Sequence, residues 1–453
     1  MGQLVAGGHQ LTPHPGEADV IVVNTCSFID PAKQESVDTI LEMAEHKRTG
    51  RARKLIVAGC LVERYRGDIQ KDLPEVDALI GTNELDRIVG LCEDRATPAG
   101  AAEPYLYHDL TPRVFSTPRH FSYIKISEGC DHPCSFCVIP QYRGANRSRR
   151  PESVVAEATR LFAQGVREIN LIGQDTTAYG EDLGIKDGLG HLLGRLARIE
   201  TPQPKWIRFL YAYPNRVTSH LLDTLAEHAS LVKYIDMPLQ HASASVLKRM
   251  KRGASGDIFL KLLERVRAAV PGVAIRTSFI VGFPGETDAD FDELCAFVQE
   301  ANFDRLGVFS YSDEDTAASY RLDGKVDART IYNRKRRLMS LQKKISRAKN
   351  RKLIGREFPV LVEGPSRETD LLWECRLPTQ APEIDGVCYI NDIDGDEPAP
   401  GQMRILRVTE AHDYDVVGTL TETILASAPL PAKAELFPIF TGNRPESAHP
   451  VSA

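Results

Sequence analysis

The sequence lacks the long apolar run that a membrane span requires. No stretch approaches the roughly 18 consecutive apolar residues of such a span, and the opening decapeptide MGQLVAGGHQ has neither the charged region nor the apolar core of a secretion signal. These absences predict a cytoplasmic protein that does not contact a membrane. In that reducing compartment the nine cysteines should be free thiols or metal ligands rather than disulfides.

A strong excess of charge of either sign is also missing. The 453 residues include 56 basic and 62 acidic side chains, a formal net charge of −6, so the chain as a whole is not a polybasic nucleic-acid coat. Residues 333–352 form a local exception, with ten basic side chains and no acidic one. Leu338, Leu341 and Ile345 give this segment an apolar stripe at helical spacing. We interpret it as a solvated connector helix, with RNA or ribosome contact as the alternative.

Two apolar, β-branched runs near the start each end in a cysteine. DVIVVNTC ends at Cys26 and KLIVAGC ends at Cys60, with a helical pattern between them. This order predicts parallel strands in an α/β domain over residues 1–100. Both cysteines would lie at the carboxyl edge of the sheet, where open α/β sheets bind ligands. Cys92 lies on the apolar side of a helical pattern, which favours a buried structural thiol.

Strand and helix patterns alternate six times between Phe121 and Ser312. Six such units predict a parallel sheet that curls into a partial (β/α)6 barrel over residues 116–350. The loops after the strands contain the unusual residues, as barrel enzymes require. These loops are the three-cysteine stretch, GQDTTAYG (173–180), AYPNR (212–216), PLQHAS (238–243) and GFPGET (282–287).

The pattern changes again towards the end of the chain. Five short alternating strands predict a small β-barrel over residues 355–423. Residues 426–453 are rich in Pro, Ala and Ser, which predicts a disordered tail. Cys375 and Cys388 lie on separate strands of the barrel, where we interpret both as packing residues.

Three cysteines, Cys130, Cys134 and Cys137, lie in the stretch EGCDHPCSFCVIPQYRG, and no fourth follows closely. A structural zinc site needs four ligands, and His132 lies between the cysteines, where it would reach the same metal only under strain. Thiolates are the normal ligands of iron–sulfur clusters. Three of them on a 4Fe–4S cluster leave one iron open for a small molecule, so the loop favours such a cluster over zinc.

The Cys-x3-Cys-x2-Cys spacing, with Phe136 before the last cysteine, resembles the radical S-adenosylmethionine (SAM) enzymes. The resemblance implies that the open iron chelates SAM and that one electron from the cluster cleaves it to a 5′-deoxyadenosyl radical. GQDTTAYG and GFPGET resemble the SAM-contacting segments of that family. This implies cofactor contacts at four residues, Gln174, Asp175, Gly282 and Gly285, although tight turns alone would also explain the glycines.

Further segments resemble one particular family among the radical SAM enzymes. NTCSFID around Cys26, AGCL around Cys60, the three-cysteine loop and the C-terminal barrel together resemble the methylthiotransferases. The resemblance implies a second 4Fe–4S cluster, held by Cys26, Cys60 and a third cysteine, that delivers sulfur. It also implies SAM as methyl donor and radical source, a TRAM-like β-barrel, a flavodoxin or ferredoxin as electron donor, and a monomeric enzyme.

The start of the chain departs from the family pattern. Relatives have the third cysteine in a Gly-Cys-x-Lys-Asn motif after a first strand, and this chain has no cysteine before Cys26. MGQLVAGGHQ instead matches the helix that follows that strand. We expect the reading frame to start further upstream; otherwise another group completes the site. The strand that ends at Cys26 should then have an unpaired edge, which would lower stability.

Four segments favour one branch of the family, namely DMPLQHAS (236–243), ISEGC (126–130), GQDTTAYG and APEIDGVCYIND (381–392). They resemble the enzymes that add a methylthio group to the β-carbon of an aspartate in the small-subunit ribosomal protein numbered twelve. That protein or the ribosome is then the partner, and the β-barrel docks a protein loop. Two alternatives stay open, a tRNA adenosine methylthiotransferase and a non-catalytic iron–sulfur binding protein. No acid or base side chain is assigned a catalytic role.

Overall fold

A computed structural model of the chain describes residues 1–95, 104–115, 117–366, 368–369 and 371–426. These residues form two compact units, the first made of 1–95, 104–115 and 138–145 and the second of the remainder. The tail predicted from residue 426 lies, from 427 onward, outside the described residues. None of the described helices has both the length and the apolar character needed to cross a bilayer.

The first unit is built on a three-stranded parallel sheet in the order β1-β2-β3. Central β2 is buried almost throughout, whereas β1 alternates between buried and exposed residues, because only the face that carries Ile21 and Val23 packs into the core. β1 also lies at an edge that no described strand pairs. The predicted parallel strands, the helix at the start and the open edge are all present. The elements are α1 (Gly2–Ala6), β1 (Val20–Thr25), α2 (Asp30–Thr49), β2 (Lys54–Gly59), α3 (Cys60–Asp72), β3 (Ala78–Ile80), α4 (Ile88–Cys92) and α5 (Ile139–Arg143).

The second unit contains the predicted partial barrel. Two parallel sheets, β4-β7-β8 and β11-β10-β9, contain the six strands, and a parallel bridge between Ile207 and Leu231 joins them. The elements are β4 (Phe121–Lys125), β5 (Ser127–Glu128), β6 (Arg147–Ser148), α6 (Pro151–Ala163), β7 (Glu168–Ile172), α7 (Gly188–Ala197), β8 (Trp206–Phe209), α8 (Ser219–Glu227), β9 (Tyr234–Asp236), α9 (Ala244–Arg249), α10 (Gly256–Ala269), β10 (Ala274–Val281), α11 (Asp288–Ala301) and β11 (Arg305–Ser310).

The basic segment forms the helix α12 (Ala328–Arg351). One face of α12 is buried, so the interpretation as a solvated connector is wrong for that face. The buried residues recur every four positions and are mostly polar: Arg334, Leu338, Gln342, Ser346 and Asn350. Gln342 Nε2 donates to the carbonyl oxygen of Phe303 at 3.1 Å, which shows how polar side chains on this face are satisfied.

The predicted C-terminal barrel is closed, in the strand order β12-β13-β14-β16-β15. Cys375 and Cys388 lie opposite each other on paired strands and are buried in its core, as packing residues should be. The strands are β12 (Glu357–Pro365), β13 (Trp373–Arg376), β14 (Cys388–Ile393), β15 (Met403–Ala411) and β16 (Val416–Ala426).

The segment between β13 and β14 packs into the partial barrel at the end where the barrel strands begin, which we call the lower end. Ala381 packs there with Trp206 and Tyr234, and Asp385 accepts a hydrogen bond from the Tyr234 hydroxyl at 2.8 Å. The APEIDG motif that marks the branch in the sequence therefore lies in a contact between the two barrels. The opposite end, where the strands finish, is the upper end.

Candidate functional site

The three predicted cluster cysteines lie on one loop at the upper end, directly after β4 and β5. Gly129 turns the chain into this loop with a φ of 86°, a conformation that favours glycine. Cys134 is buried, and Cys130 and Cys137 are half-buried. Burial raises the pKa of the Cys130 thiol, so iron has to displace its proton on binding.

His132 is engaged elsewhere and does not complete a four-ligand set. Its Nε2 atom lies 2.7 Å from Asp175 Oδ2, and its ring stacks on Tyr213 with 3.6 Å between ring centroids. The imidazole therefore connects the middle of the cysteine loop to the loops after β7 and β8. This contact explains a histidine between the cysteines without metal binding.

A positive charge lies beside the cysteine sulfurs. Arg252 Nη1 donates to Cys134 Sγ at 3.6 Å, and its guanidinium carbon lies 4.3 Å from the centroid of the Tyr213 ring. Nη2 of the same residue donates to the carbonyl oxygen of Pro238 at 2.6 Å, which fixes the guanidinium in place. A guanidinium in this position offsets the negative charge of a metal-bound thiolate.

The donor set fits a 4Fe–4S cluster. Three thiols share one loop, a guanidinium lies beside one of them, and the intervening histidine is bound elsewhere. Within the described ranges no three His, Cys, Asp or Glu side chains converge as a single metal ion requires. A cluster has a different requirement, because it distributes its thiolates around several irons.

Gln174 and Asp175 hold the cysteine loop in position. Gln174 Oε1 accepts a hydrogen bond from the amide of Gly129 at 2.8 Å. Asp175 caps the turn that follows β7, accepting from the amide of Thr177 at 2.9 Å, while its other oxygen contacts His132. Direct SAM contact by these two residues stays a prediction; the contacts with the cysteine loop are what the structure adds.

Gly282 and Gly285 shape the turn after β10. Their φ angles are 78° and 86°, and a Cβ atom on Gly282 would lie 2.2 Å from Ile331 Cγ1. The Gly282 amide donates to Glu286, and the Gly285 amide donates to the carbonyl oxygen of Gly324 at 2.7 Å. Packing and backbone conformation thus require both glycines, and their approach to SAM stays a prediction.

His241 and Glu286 form a buried polar pair behind this turn. His241 Nδ1 accepts from the Ser243 amide at 3.0 Å, whereas its Nε2 lies 3.7 Å from Glu286 Oε1, and neither of these two atoms has a hydrogen-bond partner among the described residues. Asp290 links the same loops, accepting from the Ser243 hydroxyl at 2.5 Å. Burial opposes ionisation of Asp290, but hydrogen bonds from Ser243 and its neighbours hold its pKa below the usual range.

In the first unit, Cys26 and Cys60 follow neighbouring parallel strands. Thr25 and Gly59 are register partners at the ends of β1 and β2, so the two cysteines leave the same edge of the sheet. Cys60 is the first residue of α3, at the end of the helix whose dipole attracts negative charge. Arg143 Nη2 lies 3.2 Å from its sulfur. Both features suit a metal-bound thiolate.

Cys92 lies at the opposite edge of that sheet. Lys54, the first residue of β2, donates to the carbonyl oxygen of Leu91 at 2.5 Å, whereas Cys60 follows the last residue of β2. The strand spans about 17 Å, so Cys92 and Cys60 cannot bind one cluster. Cys92 is half-buried rather than buried as predicted, and this burial raises the pKa of its thiol; its structural role stays a prediction.

Sequence reasoning missed the residues that surround the cysteines. Tyr213 lies in the AYPNR loop, which the sequence singles out without assigning a role to this ring. Arg143 lies within the quoted cysteine stretch and Arg252 follows the helix after PLQHAS. Their proximity to sulfur is a tertiary contact, and no local pattern reveals it.

Three family models match the chain. The Radical SAM superfamily matches residues 124–298, the Uncharacterized protein family UPF0004 matches residues 1–81, and the TRAM domain matches residues 354–421. These matches agree with the α/β start, the partial barrel and the closed barrel that the structure shows.

Curated relatives show to which family the chain belongs. A protein of Solibacter usitatus named ribosomal protein uS12 methylthiotransferase RimO is 77% identical over 95% of this chain and 93% of its own length. The chain belongs to the RimO family. A second RimO protein, from Koribacter versatilis, is 57% identical over 93% of this chain and 92% of its own length. RimO proteins are radical-SAM methylthiotransferases, so the chain is an enzyme of that class.

Solved structures support the fold independently of the RimO relatives. The radical SAM methyltransferase TsrM of Kitasatospora setae, with tryptophan and a SAM analogue bound, is 16% identical to this chain. It covers 64% of this chain and 62% of its own, with a TM-score of 0.50. At this identity the likeness shows a shared fold alone.

Proposed function

We propose that this chain adds a methylthio group to the β-carbon of an aspartate in ribosomal protein uS12. The observation that supports this most is the cysteine loop at the upper end, with Arg252 at the Cys134 sulfur, in a chain 77% identical to a RimO protein. The reaction replaces one C–H bond by a C–S–CH3 unit, with the methyl group taken from SAM.

Cys130, Cys134 and Cys137 are the proposed ligands of the radical-generating cluster. When bound, a 4Fe–4S cluster with an open iron would supply the electron that cleaves SAM and so the radical that removes hydrogen from an unactivated carbon. Arg252 offsets the negative charge of the thiolates. Gln174 and Asp175 fix the loop through Gly129 and His132, which keeps the ligands oriented before the metal binds.

Cys26 and Cys60 are the proposed protein ligands of a second 4Fe–4S cluster that supplies the sulfur. Their common sheet edge and the guanidinium of Arg143 beside Cys60 support this assignment. We assign no third ligand. Iron and sulfide per chain after anaerobic reconstitution test the cluster count: about eight irons, falling to about four in a Cys130→Ala, Cys134→Ala, Cys137→Ala variant, would mean two clusters. About four, falling to none, would contradict the second.

Mass spectrometry of uS12 tests the activity. Reduced enzyme, SAM and small ribosomal subunits from a strain that lacks the modification should yield uS12 with one methylthio group in place of one hydrogen. Unmodified uS12, alongside a control RimO protein that does modify it, would refute the proposed function. A methylthiolated adenosine in tRNA would instead identify a tRNA enzyme.

Two further proposals concern partners. A flavodoxin or ferredoxin is the proposed electron donor, because cleavage of SAM consumes one electron that the chain itself does not generate. The enzyme is proposed to act as a monomer. Reduction of the cluster by purified flavodoxin and light scattering of the reconstituted enzyme test these two points separately.

A further inference from the structure

The outer face of α12 presents a row of basic side chains, opposite the face that is buried. We call this row the outer stripe. All of its members are exposed and recur at helical spacing: Arg329, Arg336, Lys344, Arg347 and Arg351. Asn333 and Ser340 occupy intervening positions, so no apolar side chain interrupts the row. At the rise of an α-helix the stripe is about 33 Å long.

Four members of the stripe have no carboxylate to neutralise them. Arg347 lies 3.7 Å from Asp413, but within the described residues no carboxylate oxygen lies within ion-pair distance of the other four, Arg329, Arg336, Lys344 and Arg351. Other basic residues of the same helix are paired, such as Arg337 with Asp292 at 2.8 Å. Of the five exposed cations of α12 that have no ion pair in the described chain, four lie in the stripe and Lys335 lies outside it, although the chain as a whole has a net charge of −6.

We propose that the outer stripe binds the phosphate backbone of RNA in the small ribosomal subunit. A straight row of cations spaced along a rigid helix matches a linear array of phosphates, and each contact adds salt-dependent affinity. Arg336 also lies over the exposed ring of Tyr332, 5.6 Å from its centroid, and an aromatic ring beside a basic row suits a nucleic acid.

The composition of the stripe favours RNA over an acidic protein. Protein interfaces have a buried apolar core, whereas the stripe contains no apolar side chain and has only the single ring of Tyr332 beside it. The inference rests on the proposed function, since a substrate within the ribosome places RNA next to the enzyme. Ile331 and Arg334, on the inner face, contact the turn after β10, so RNA bound outside would lie against the helix that supports the predicted SAM loop.

Binding of the reconstituted full chain to protein-free small-subunit RNA tests the proposal. The stripe variant is Arg336→Ala, Lys344→Ala, Arg351→Ala. The charge-matched control is Lys186→Ala, Arg198→Ala, Lys261→Ala, which removes three exposed cations elsewhere in the second unit. A charge-preserving variant, Arg336→Lys, Lys344→Arg, Arg351→Lys, separates charge from side-chain shape.

We expect the stripe variant to bind RNA roughly tenfold more weakly and its salt slope to fall by about two to three. The control and charge-preserving variants should bind like the wild type. Equal binding by stripe and control variants would overturn the proposal. So would normal RNA binding with slower reduction by flavodoxin, which would make the stripe a docking surface for the donor.

The readout is independent of the proposed function, because RNA binding requires neither SAM nor a reduced cluster. Formation of 5′-deoxyadenosine should be unchanged in the stripe variant, since its residues lie on the exposed face of α12. If RNA binding behaves as expected but uS12 stays unmodified, the proposed function fails and the RNA surface stands. If uS12 is modified and the stripe variant binds RNA like the wild type, the proposed function stands and the RNA surface fails.

Discussion

Charge is arranged differently at the two ends of the partial barrel. At the lower end, buried carboxylates pair with buried guanidinium groups: Glu168 lies 2.9 Å from Arg208 and 2.5 Å from Arg376. At the upper end, Arg252 faces a sulfur, and the buried atoms His241 Nε2 and Glu286 Oε1 have no hydrogen-bond partner in the described chain. The nearest cation to Glu286 Oε1 is Arg334 Nη1, at 3.6 Å.

The difference follows from what each end has to bind. Breaking a buried ion pair leaves an uncompensated charge and is strongly destabilising, so the lower end fixes the closed barrel to the partial barrel. At the upper end the cysteine thiols are not engaged in buried ion pairs of this kind, so they stay available to bind iron. We therefore expect changes at the lower end to affect folding and changes at the upper end to affect chemistry.

Removing a cluster ligand should have the largest effect on activity and tests the comparison between the two ends of the barrel. Cys134→Ala should reduce 5′-deoxyadenosine formation to background, because the loop retains only two thiolates. The free energy of unfolding of the metal-free protein should change far less, since the side chain loses one sulfur. Cys295→Ala, which removes a half-buried thiol from α11, is the control and should keep full activity. Wild-type activity in Cys134→Ala would show that the loop is not the radical site.

Glu363→Gln tests the lower end. Burial alone would raise the pKa of Glu363, but the charge of Arg376 and the hydrogen bond from His120 lower it to about 2, from an ordinary 4.5. The variant should lose on the order of 3 kcal/mol of unfolding free energy at neutral pH, measured by denaturant unfolding. SAM cleavage per folded molecule should not change.

The contacts of Glu363 with Arg376 and His120 also predict how the stability of the protein depends on pH. Because the pKa of Glu363 is depressed in the folded state, its stabilising contribution is present above about pH 4.5 and is lost as the pH falls towards 2. The difference between wild type and Glu363→Gln should shrink over that window. Glu357→Gln, an exposed carboxylate on the same strand, should differ little from wild type at any pH. A constant difference down to pH 2 would contradict the pairing.

The two ends also differ in how far the sequence predicts them. Periodicity and the Cys-x3-Cys-x2-Cys spacing are local signals, and they locate the six strands, the closed barrel and Cys130, Cys134 and Cys137. Glu363 and His120, which lie 2.8 Å apart, are separated by 243 positions in the chain, so no local signal predicts the contact. On the buried face of α12 the predicted apolar stripe includes only Leu338, because the other buried members are polar.

Asp175→Asn tests how the cysteine loop is held. An amide in place of the carboxylate weakens the charge-assisted contact with His132, which is worth about 1.5–3 kcal/mol, so SAM cleavage should fall about tenfold. Asp223→Asn on α8, an exposed position, is the control. If Asp175 positions the loop, iron content or the spectrum of the cluster should change while KM for SAM stays near the wild-type value. A rise in KM alone would make Asp175 a SAM-binding residue instead.

The smallest effect should come from an ion pair outside the barrel. Arg195 Nη1 lies 2.8 Å from Glu152 Oε1, and both side chains are exposed; the hydrogen bond from Arg195 lowers the pKa of Glu152. Water and salt screen such a pair, so Arg195→Ala should cost less than about 0.5 kcal/mol, and added salt should reduce the cost further. Denaturant unfolding at low and high salt measures both quantities. A loss as large as that of Glu363→Gln would mean that burial is not what distinguishes the ion pairs of the lower end.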